Sequence, residues 1–351
     1  MTRADPLPPS DPEVRYEAPA RKLLRAAGLS DACTLERLRG GGNNRVFRVC
    51  TTDGTSTLMK AYFHSENDPR DRFEHEHAFH RLLQHRGITQ TPRALAWDAG
   101  ERLGLFEFVP DPKLEPAQVT AAHVSACALF FKHVNTPRSA DLNPPLPDAS
   151  EACFSIADHA RLIDQRVQRL ASLAGDAEVP SETIDLISRR LRPAWTHLSA
   201  QLASLPEADI PLKPDLRCLS PSDFGFHNAL ASPRGLLFFD FEYAGWDDPA
   251  KMACDFFCQP EIPAPPETLP LFVEQTCLAP WSLSRYAERV NVLLPAYHIK
   301  WACIILNVFL KDASRRRAFA DTGLLTDEAR RLQMAKAHAQ LDAVGQEPPW
   351  V

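Results

Sequence analysis

A proline-rich break at residues 110–112 divides the sequence into two stretches whose apolar residues repeat with different periods. Before the break, residues 45–50, 58–63 and 103–109 are predicted strands, because their apolar residues alternate or form short runs. After residue 115 most segments have the period of an amphipathic helix, interrupted once by β-like sequence. Proline ends regular elements because it fixes φ and lacks a backbone donor. The sequence therefore predicts an α+β fold with a small β-rich lobe and a larger helical lobe.

The length of 351 residues also favours two lobes over a single core. We expect residues 1–15 to form a disordered tail, because this segment is rich in proline and charge. Residues 16–109 are predicted to form the N-lobe, with one main helix at residues 70–85, and residues 110–351 to form the C-lobe. A cleft between two lobes is a usual place for a ligand.

Composition and charge argue against a nucleic-acid partner. Apolar residues make up 44% of the chain and charged residues 24%, which is typical of a soluble globular protein. The net charge of −6 and the pI near 6.1 lack the basic footprint that a nucleic-acid binder needs. We therefore expect no nucleic-acid partner.

The cysteines and the apolar stretches predict a cytoplasmic protein. The nine cysteines are irregularly spaced, and the closest pair, Cys254 and Cys258, has the spacing of a helix face rather than of a zinc site. Reduced thiols of this kind are typical of the cytosol. Residues 1–20 lack the apolar segment of a signal peptide, and the most apolar stretch, residues 301–310, is too short to span a bilayer. We expect no membrane partner.

Three polar side chains stand out in the β-like sequence at residues 218–243. Asn228 precedes a short apolar run, and Asp240 follows the next run after a turn at residues 232–235. If the two runs pair as a hairpin, Asn228 and Asp240 lie near the same end of it. Carboxylate and amide oxygens suit Mg²⁺, and Asp223, one loop upstream, is placed to accept the proton of an attacking hydroxyl. The same side chains could equally cap turns.

Glycines near the start of the N-lobe suit a phosphate group. Gly40, Gly41 and Gly42 are followed by Asn43 and Asn44. A glycine loop lets backbone N–H groups approach phosphate oxygens closely. Taken alone, these residues are also typical of a plain turn before a strand.

A lysine and a glutamate of the N-lobe are predicted to form an ion pair. Lys60 stands inside an apolar strand, where it faces either solvent or the cleft. At about 100° per residue, Glu76 lies about 60° from both Phe73 and Phe79 on its helix. Glu76 therefore points into the apolar face, where an unpaired carboxylate is costly. Lys60 is the obvious cation to pair with it.

The order of these features along the chain is that of kinase-type phosphoryl transfer: a glycine loop, a strand lysine, a helix glutamate, an Asp and Asn pair, and a strand that ends in aspartate. The chain resembles the aminoglycoside phosphotransferase and choline kinase family, which implies a bilobal protein-kinase-like fold. The resemblance is clearest across residues 220–257 and extends more loosely from about residue 40 to about residue 309. The segment 239–245, Phe-Asp-Phe-Glu-Tyr-Ala-Gly, is especially close to the metal motif of choline kinases.

The resemblance implies a role for each matched residue. Asp223 resembles the catalytic base, and Asn228 and Asp240 resemble the ligands of Mg²⁺. Lys60 and Glu76 resemble the ion pair that clamps the phosphates of ATP. The remaining candidates for binding the nucleotide are the glycine loop and the hinge that holds the adenine, namely Gly41, Gly42, Asn43, Asn44, Glu107 and Val109.

The family pattern is not matched everywhere. The family usually has His-Gly before the catalytic aspartate, and that histidine braces the loop, whereas this chain has Pro221 and Ser222. Residues 248–249 followed by Asp255 resemble the family's Asp-Pro-x-x-Asp region with three extra residues, which implies that Asp255 holds the catalytic loop by hydrogen bonds. The position of Glu242 varies within the family, and we expect it to help with metal or substrate.

Fourteen residues separate Asp240 from Asp255, too few for the activation loop of a protein kinase. A small-molecule hydroxyl acceptor is therefore predicted. A sugar or sugar-like metabolite is favoured, because no cluster of aromatics that could cage a quaternary ammonium group adjoins the metal motif. A choline- or ethanolamine-type kinase, an aminoglycoside kinase and a module that binds nucleotide without catalysis are the alternatives. ATP is the expected co-substrate, and GTP is left open.

Overall fold

The computed structural model describes residues 14–38, 44–64, 70–136, 146–310 and 326–346. Within these ranges an antiparallel sheet of five strands forms most of the N-lobe, in the spatial order β1-β2-β3-β5-β4. The strands are β1 (Cys33–Leu38), β2 (Arg45–Thr51), β3 (Ser56–Ala61), β4 (Ala94–Asp98) and β5 (Leu103–Glu107). The sequence analysis predicted β2, β3 and β5 but missed both edge strands, β1 and β4.

The N-lobe has its own apolar core between the sheet and helix α1 (Val14–Ala26). The alternation of β2 places Phe47 and Val49 on the covered face, where both are fully buried. Leu23 and Leu24 of α1 pack against this face. Helix α1 thus anchors the N-terminal part of the described chain to the sheet.

A tight turn after β2 fixes the register of β3 and with it the position of Lys60 in the sheet. Gly54 takes a left-handed φ of 90°, which a side chain would disfavour, and the N–H of Thr51 donates to the carbonyl of Thr55 at 2.9 Å. The resulting register pairs Lys60 with Val46 on one side and with Gly104 on the other. Lys60 therefore lies in the middle of the sheet.

Helix α2 (Arg72–His85) connects the two lobes. Its first turn is capped by Asp71, whose Oδ1 accepts from the N–H of Glu74 at 3.0 Å. Phe79, on its inner face, belongs to the large core of the C-lobe, and its ring centroid lies 4.8 Å from that of Phe241. Because α2 packs on the C-lobe, it fixes the carboxylate of Glu76 relative to the segment that contains Asp240.

The C-lobe consists mainly of helices packed around one long central helix, α9. The helices are α3 (Ala121–Asn135), α4 (Ile156–Ala171), α5 (Ser181–Leu186), α6 (Arg192–Ala203), α7 (Pro249–Cys258), α8 (Leu269–Thr276), α9 (Leu283–Leu306) and α10 (Asp327–Ala343). A π-helical turn at Ile187–Leu191 joins α5 to α6. The predicted α+β fold with a small sheet lobe and a larger helical lobe is confirmed.

The apolar helix at the centre of the C-lobe is longer than predicted from residues 301–310. By length and mean hydropathy, Leu283–Phe309 is the one stretch of the described residues that could cross a membrane. Half of its most apolar window is buried inside the protein, and side chains such as Val290, Leu293 and Ile299 are fully covered. That burial is typical of the core helix of a globular domain.

Two short hairpin-like pairings hold the polar segment between α6 and α7. Strand β6 (Cys218–Ser220) pairs with β9 (Gly245–Asp247), and β7 (Ala229–Ser232) pairs with β8 (Gly235–Phe238). The second pairing is the hairpin on which the metal prediction depended. It sets Ala229 opposite Phe238, so that Asn228 and Asp240 flank the same open end.

Candidate active site

A cavity of about 810 Å³ lies between the sheet of the N-lobe and the β6–β9 segment of the C-lobe. Both lobes contribute to its wall. The lining residues include Leu38, Asn44, Val46, Leu58, Lys60, Glu76, Phe106, Glu107, Phe108, Val109, Asp223, His227, Asn228, Leu230, Phe239, Asp240 and Glu242. The cavity thus brings together every candidate site residue that the structure describes. Gly41, Gly42 and Asn43 lie outside the described residues.

Lys60 is the centre of a buried charge cluster. Its Nζ lies 2.6 Å from Oε2 of Glu76, and both residues are buried. The ion pair predicted from helix geometry is therefore present. The same ammonium donates to Oδ1 of Asp240 and lies 3.8 Å from Oε2 of Glu242. We call Lys60, Glu76, Asp240 and Glu242 the lysine cluster.

Three carboxylates share one ammonium in the lysine cluster, and the pKa values reflect this imbalance. Burial raises the pKa of Glu76 to about 7 in spite of the charge on Lys60. Burial, followed by repulsion from Asp240, likewise raises the pKa of Glu242. Burial would lower the pKa of Lys60, but the surrounding carboxylates outweigh it and raise that pKa. The two buried glutamates of the cluster are therefore more easily protonated than an exposed glutamate.

The hairpin holds the two candidate metal ligands side by side. The N–H of Phe239 donates to the carbonyl of Asn228 at 3.0 Å, which extends the β7–β8 ladder by one step. The Nδ2 of Asn228 donates to the carbonyl of Asp223 at 3.0 Å, while its Oδ1 takes part in no hydrogen bond within the described part of the chain. An amide oxygen and a carboxylate are hard ligands of the kind that Mg²⁺ takes.

The donors at this hairpin fit a magnesium ion but do not form a complete cage. No group of three or more His, Cys, Asp or Glu side chains that could hold a metal occurs among the described residues. Mg²⁺ often takes one or two protein oxygens and completes its shell with phosphates and water. Asn228 and Asp240 match that kind of site.

Strained backbone marks the segment that contains the candidate base. Ser222 and Asp223 take left-handed φ values of 46° and 39°, and Asp240 takes 68°. Such values cost roughly 1–3 kcal/mol for a residue with a side chain and persist only where the surroundings impose them. Ser222 stands where the family usually has glycine. Its backbone conformation is therefore one that glycine would adopt more easily.

Asp223 has its own set of hydrogen-bond donors. Nε2 of His227 lies 3.2 Å from Oδ1 of Asp223. Burial alone would raise the pKa of Asp223, but the hydrogen bond and charge of His227, together with the charge of Lys300 and a hydrogen bond from Asn228, lower it. The carboxylate is therefore kept ionised and able to accept a proton. Sequence reasoning missed His227, although its position four residues after Asp223 was a usable signal.

The predicted hinge follows the end of β5. The N–H of Glu107 donates to the carbonyl of Arg93 at 2.8 Å, and its carboxylate lies 3.2 Å from a guanidinium nitrogen of Arg234 in the β7–β8 turn. Phe108 and Val109 line the cavity. The side chain of Glu107 thus ties the two lobes together beside the cavity.

Asn44 and Glu242 have partners that the sequence analysis did not predict. The amide nitrogen of Asn44 donates to Oε2 of Glu242, and its Oδ1 accepts from the N–H of Phe63 at 3.0 Å. Glu242 also lies 3.8 Å from Nε of Arg72. The Asn44 side chain therefore links the end of the glycine loop to the lysine cluster.

Asp255 differs from its prediction. Its carboxylate accepts from Nζ of Lys300 at 2.8 and 2.9 Å and from Nε1 of Trp301 at 2.9 Å, both on α9. Nζ of Lys251, one turn earlier on α7, lies 3.7 Å away. The predicted contact with the catalytic loop is replaced by contacts with the central helix, because α7 packs its polar side directly against α9.

Comparison with known proteins gives the family. The sequence pattern of the APH family, described as the phosphotransferase enzyme family, matches residues 34–269, more than half of the 351 residues. The chain belongs to the phosphotransferase enzyme family. This membership confirms the resemblance drawn from residues 220–257. No curated protein matches the sequence at a significant level.

Solved structures show that this phosphotransferase has a protein-kinase-like fold. Choline kinase from Cryptosporidium parvum Iowa II aligns with a TM-score of 0.58 and 14% identity, over 97% of this chain and 99% of that one. Spectinomycin phosphotransferase, solved in complex with ADP and spectinomycin, aligns with a TM-score of 0.62 and 12% identity, over 93% and 97%. A choline/ethanolamine kinase family protein from Mesorhizobium loti aligns with a TM-score of 0.54 and 17% identity, over 92% and 99%. At these identities the likeness concerns the fold alone.

Proposed function

We propose that this chain transfers the γ-phosphoryl group of a magnesium-bound nucleoside triphosphate, with ATP as the expected donor, to a hydroxyl of a small molecule. The observation that carries the proposal is the convergence of Lys60, Glu76, Asp223, Asn228 and Asp240 on one cavity. These are the parts that phosphoryl transfer requires: a cation for the phosphates, ligands for the metal and a base for the acceptor.

Each lobe has its own task in this proposal. Residues 16–109 bind the nucleotide, with its base near the hinge at Glu107 and Val109 and its phosphates near Lys60. Residues 110–351 carry the catalytic loop and the acceptor site. The cytoplasm, predicted from the cysteines and the apolar stretches, is the expected location.

The metal and the base act at the C-lobe wall. Asn228 and Asp240 would hold Mg²⁺, which would neutralise negative charge on the phosphates. Asp223 accepts the proton of the acceptor hydroxyl, and its lowered pKa keeps it ionised near neutral pH. Membership of the phosphotransferase family and a structural neighbour solved with ADP and spectinomycin support a nucleotide and a small acceptor as the two substrates.

The charges around the mouth of the cavity favour a neutral acceptor such as a sugar. A quaternary ammonium group needs an open aromatic face, but Nζ of Lys113 already lies 5.4 Å from the ring centroid of Phe239. A polycationic aminoglycoside needs several carboxylates, and one of those that line the cavity, Glu261, is already paired with Lys336 at 3.0 Å. The hydroxyl groups of a neutral sugar need neither an open aromatic face nor several carboxylates.

An acceptor screen tests the proposal. The protein is incubated with Mg²⁺ and either ATP or GTP, together with neutral sugars, amino alcohols or aminoglycosides, and nucleotide loss is measured. We expect turnover with a neutral sugar-like acceptor, and its loss in Asp223→Ala and Asp240→Ala. Turnover only with amino alcohols or aminoglycosides would overturn the acceptor class and leave the reaction type standing.

Two further outcomes separate a kinase from other proteins of this fold. Stabilisation by Mg-nucleotide in a thermal melt without turnover for any acceptor would indicate an inactive nucleotide-binding module. Failure of ATP and GTP, with magnesium, to shift the melting temperature would contradict both the kinase and the inactive module.

A further inference from the structure

The imidazole of His227 folds back onto the carboxylate of Asp223. His227 lies in the 3₁₀ turn Phe226–Asn228, and its Nε2 is 3.2 Å from Oδ1 of Asp223. The side chain of His227 is 16% exposed and that of Asp223 is 36% exposed. Both side chains line the cavity, and the carboxylate of Asp223 is the more exposed of the two.

The two oxygens of Asp223 have different surroundings. Among the described residues, Oδ1 has the contact with His227, and Oδ2 has a single contact, at 3.5 Å, with Nδ2 of Asn228. A contact of 3.5 Å is at the limit of a hydrogen bond. Oδ2 is therefore the oxygen with lone pairs available to a hydroxyl group in the cavity.

Gly225 makes room for this arrangement. Its φ of 171° is extended backbone that any residue adopts, so the backbone does not require glycine. A Cβ at this position would lie 2.9 Å from Nδ1 and 3.1 Å from Cε1 of His227. The absence of a side chain at residue 225 is what lets the ring lie against Asp223.

Neither ring nitrogen of His227 is free to act on an acceptor directly. Nε2 faces Asp223, and Nδ1 is buried without a hydrogen-bond partner among the described residues. An unpaired buried nitrogen costs free energy, and the contact with Asp223 is the polar interaction that the ring makes in this position. His227 therefore acts through Asp223.

We propose that His227 is a positioning residue that holds Oδ1 of Asp223 so that Oδ2 faces the acceptor hydroxyl. This inference rests on the phosphoryl transfer proposed above. In that step the acceptor O–H gives its proton to Oδ2, and the acceptor oxygen forms a bond to the γ-phosphorus. The bond from the γ-phosphorus to the β–γ bridging oxygen breaks, and a nucleoside diphosphate leaves.

Steady-state kinetics on four variants test this role, with Mg-nucleotide and the acceptor found by the screen. His227→Phe keeps a ring without a donor, and we expect kcat to fall about 100-fold with the KM for nucleotide within about twofold, because only the geometry of the base changes. His227→Gln places an amide nitrogen near the position of Nε2 and should recover about tenfold of that loss. Gly225→Ala pushes the intact ring away and should lower kcat as His227→Phe does. His197→Phe, at an exposed position on α6, is the matched control and should leave kcat unchanged.

The outcomes distinguish a positioning role of His227 from a packing role. They also test this role separately from the proposed function. Equal kcat in His227→Phe and wild type, or equal loss in His227→Phe and His227→Gln, would overturn the positioning role. If His227→Phe fails to fold, as judged by its thermal melt, Gly225→Ala decides, since it leaves the imidazole in place. Wild-type protein that turns over no acceptor overturns the proposed function and this inference together, whereas wild-type turnover with unaffected variants overturns this inference alone.

Discussion

The pKa values of the carboxylates on the two walls of the cleft are shifted in opposite directions. On the wall formed by the lysine cluster, which has residues of both lobes, the pKa values of Glu76 and Glu242 are raised, whereas on the wall formed by the Asp223 loop the pKa of Asp223 is lowered. Burial acts in the same direction on all three, so the difference comes from their partners. The first two share Lys60 with Asp240, while Asp223 has a donor in His227 and a second in Asn228. The wall formed by the lysine cluster thus holds glutamates that are protonated more easily than usual, and the wall formed by the Asp223 loop keeps its base ionised.

The two walls also differ in the separation, along the sequence, of the residues that interact within each wall. Lys60 and Asp240 are 180 residues apart, but the contacts of Asp223 with His227 and Asn228 span four and five residues. The lysine cluster therefore depends on the docking of the two lobes, and the Asp223 loop depends on local backbone. Substitutions in the lysine cluster and in the Asp223 loop should therefore have different effects on binding, catalysis and stability.

Asp223→Asn should impair catalysis at the Asp223 loop without weakening the binding of nucleotide at the lysine cluster. We expect kcat to fall by about 10²–10⁴-fold, the usual range for loss of a general base. Affinity for Mg-nucleotide should stay within a few-fold, because Lys60, Asn228 and Asp240 are unchanged. Kinetics and isothermal titration with nucleotide check this, and a parallel loss of nucleotide affinity would remove the distinction between the walls.

Lys60→Met should destabilise the fold, because it leaves three carboxylates without their shared cation. Removal of one partner from a buried ion pair costs roughly 3–5 kcal/mol, and urea unfolding measures the loss. The double variant Lys60→Met with Glu76→Gln should lose less than Lys60→Met alone. Lys22→Met is the control, since Lys22 pairs with Asp98 at 2.7 Å but its side chain is 66% exposed. Equal losses in the two lysine variants would contradict the buried cluster.

Glu76 should make stability fall as pH rises across the weakly acidic range. Its pKa of about 7 in the folded state lies above the 4.5 of an ordinary glutamate, so the folded state binds more protons between these values. The stability contributed by this group is present below about pH 4.5 and is lost as pH rises through about 7, by at most about 3 kcal/mol. Glu76→Gln should remove that slope in urea unfolding measured from pH 4.5 to 7.5. Parallel curves for the variant and the wild type would show that Glu76 is ionised throughout.

Ser222→Gly should relieve the strain of the Asp223 loop. A left-handed φ of 46° suits glycine, so we expect a gain of about 1 kcal/mol in the free energy of unfolding. Ser204→Gly is the control at an ordinary backbone position: Ser204 has a φ of −81°. Glycine there should lower the stability, because it adds freedom to the unfolded chain and removes the hydrogen bond that Oγ donates to the carbonyl of Gln201 at 2.7 Å. A loss of stability in Ser222→Gly would mean that the serine makes a contact worth more than the strain.

The fold class, the family and the inward direction of Glu76 could all be predicted from the amino-acid sequence. These follow from local quantities: the change of period at residues 110–112, the ordered motif and the angle between side chains on one helix. The same local reasoning found the β7–β8 hairpin, and with it the proximity of Asn228 and Asp240. It missed β4 because Ala94–Asp98 is short and rich in alanine, which has low β-propensity.

The pairing of charges between distant segments and the strained backbone positions could be read from the folded structure but not from the sequence. Asn44 meets Glu242 across 198 residues, and Asp255 turns to Lys300 and Trp301 on α9 instead of to the loop. Such pairs depend on how helices and lobes dock, and the periodicity of one segment carries no information about that. The left-handed φ at Asp223 and the folded-back ring of His227 are likewise imposed by surrounding contacts, since neither conformation is the one those residues prefer alone.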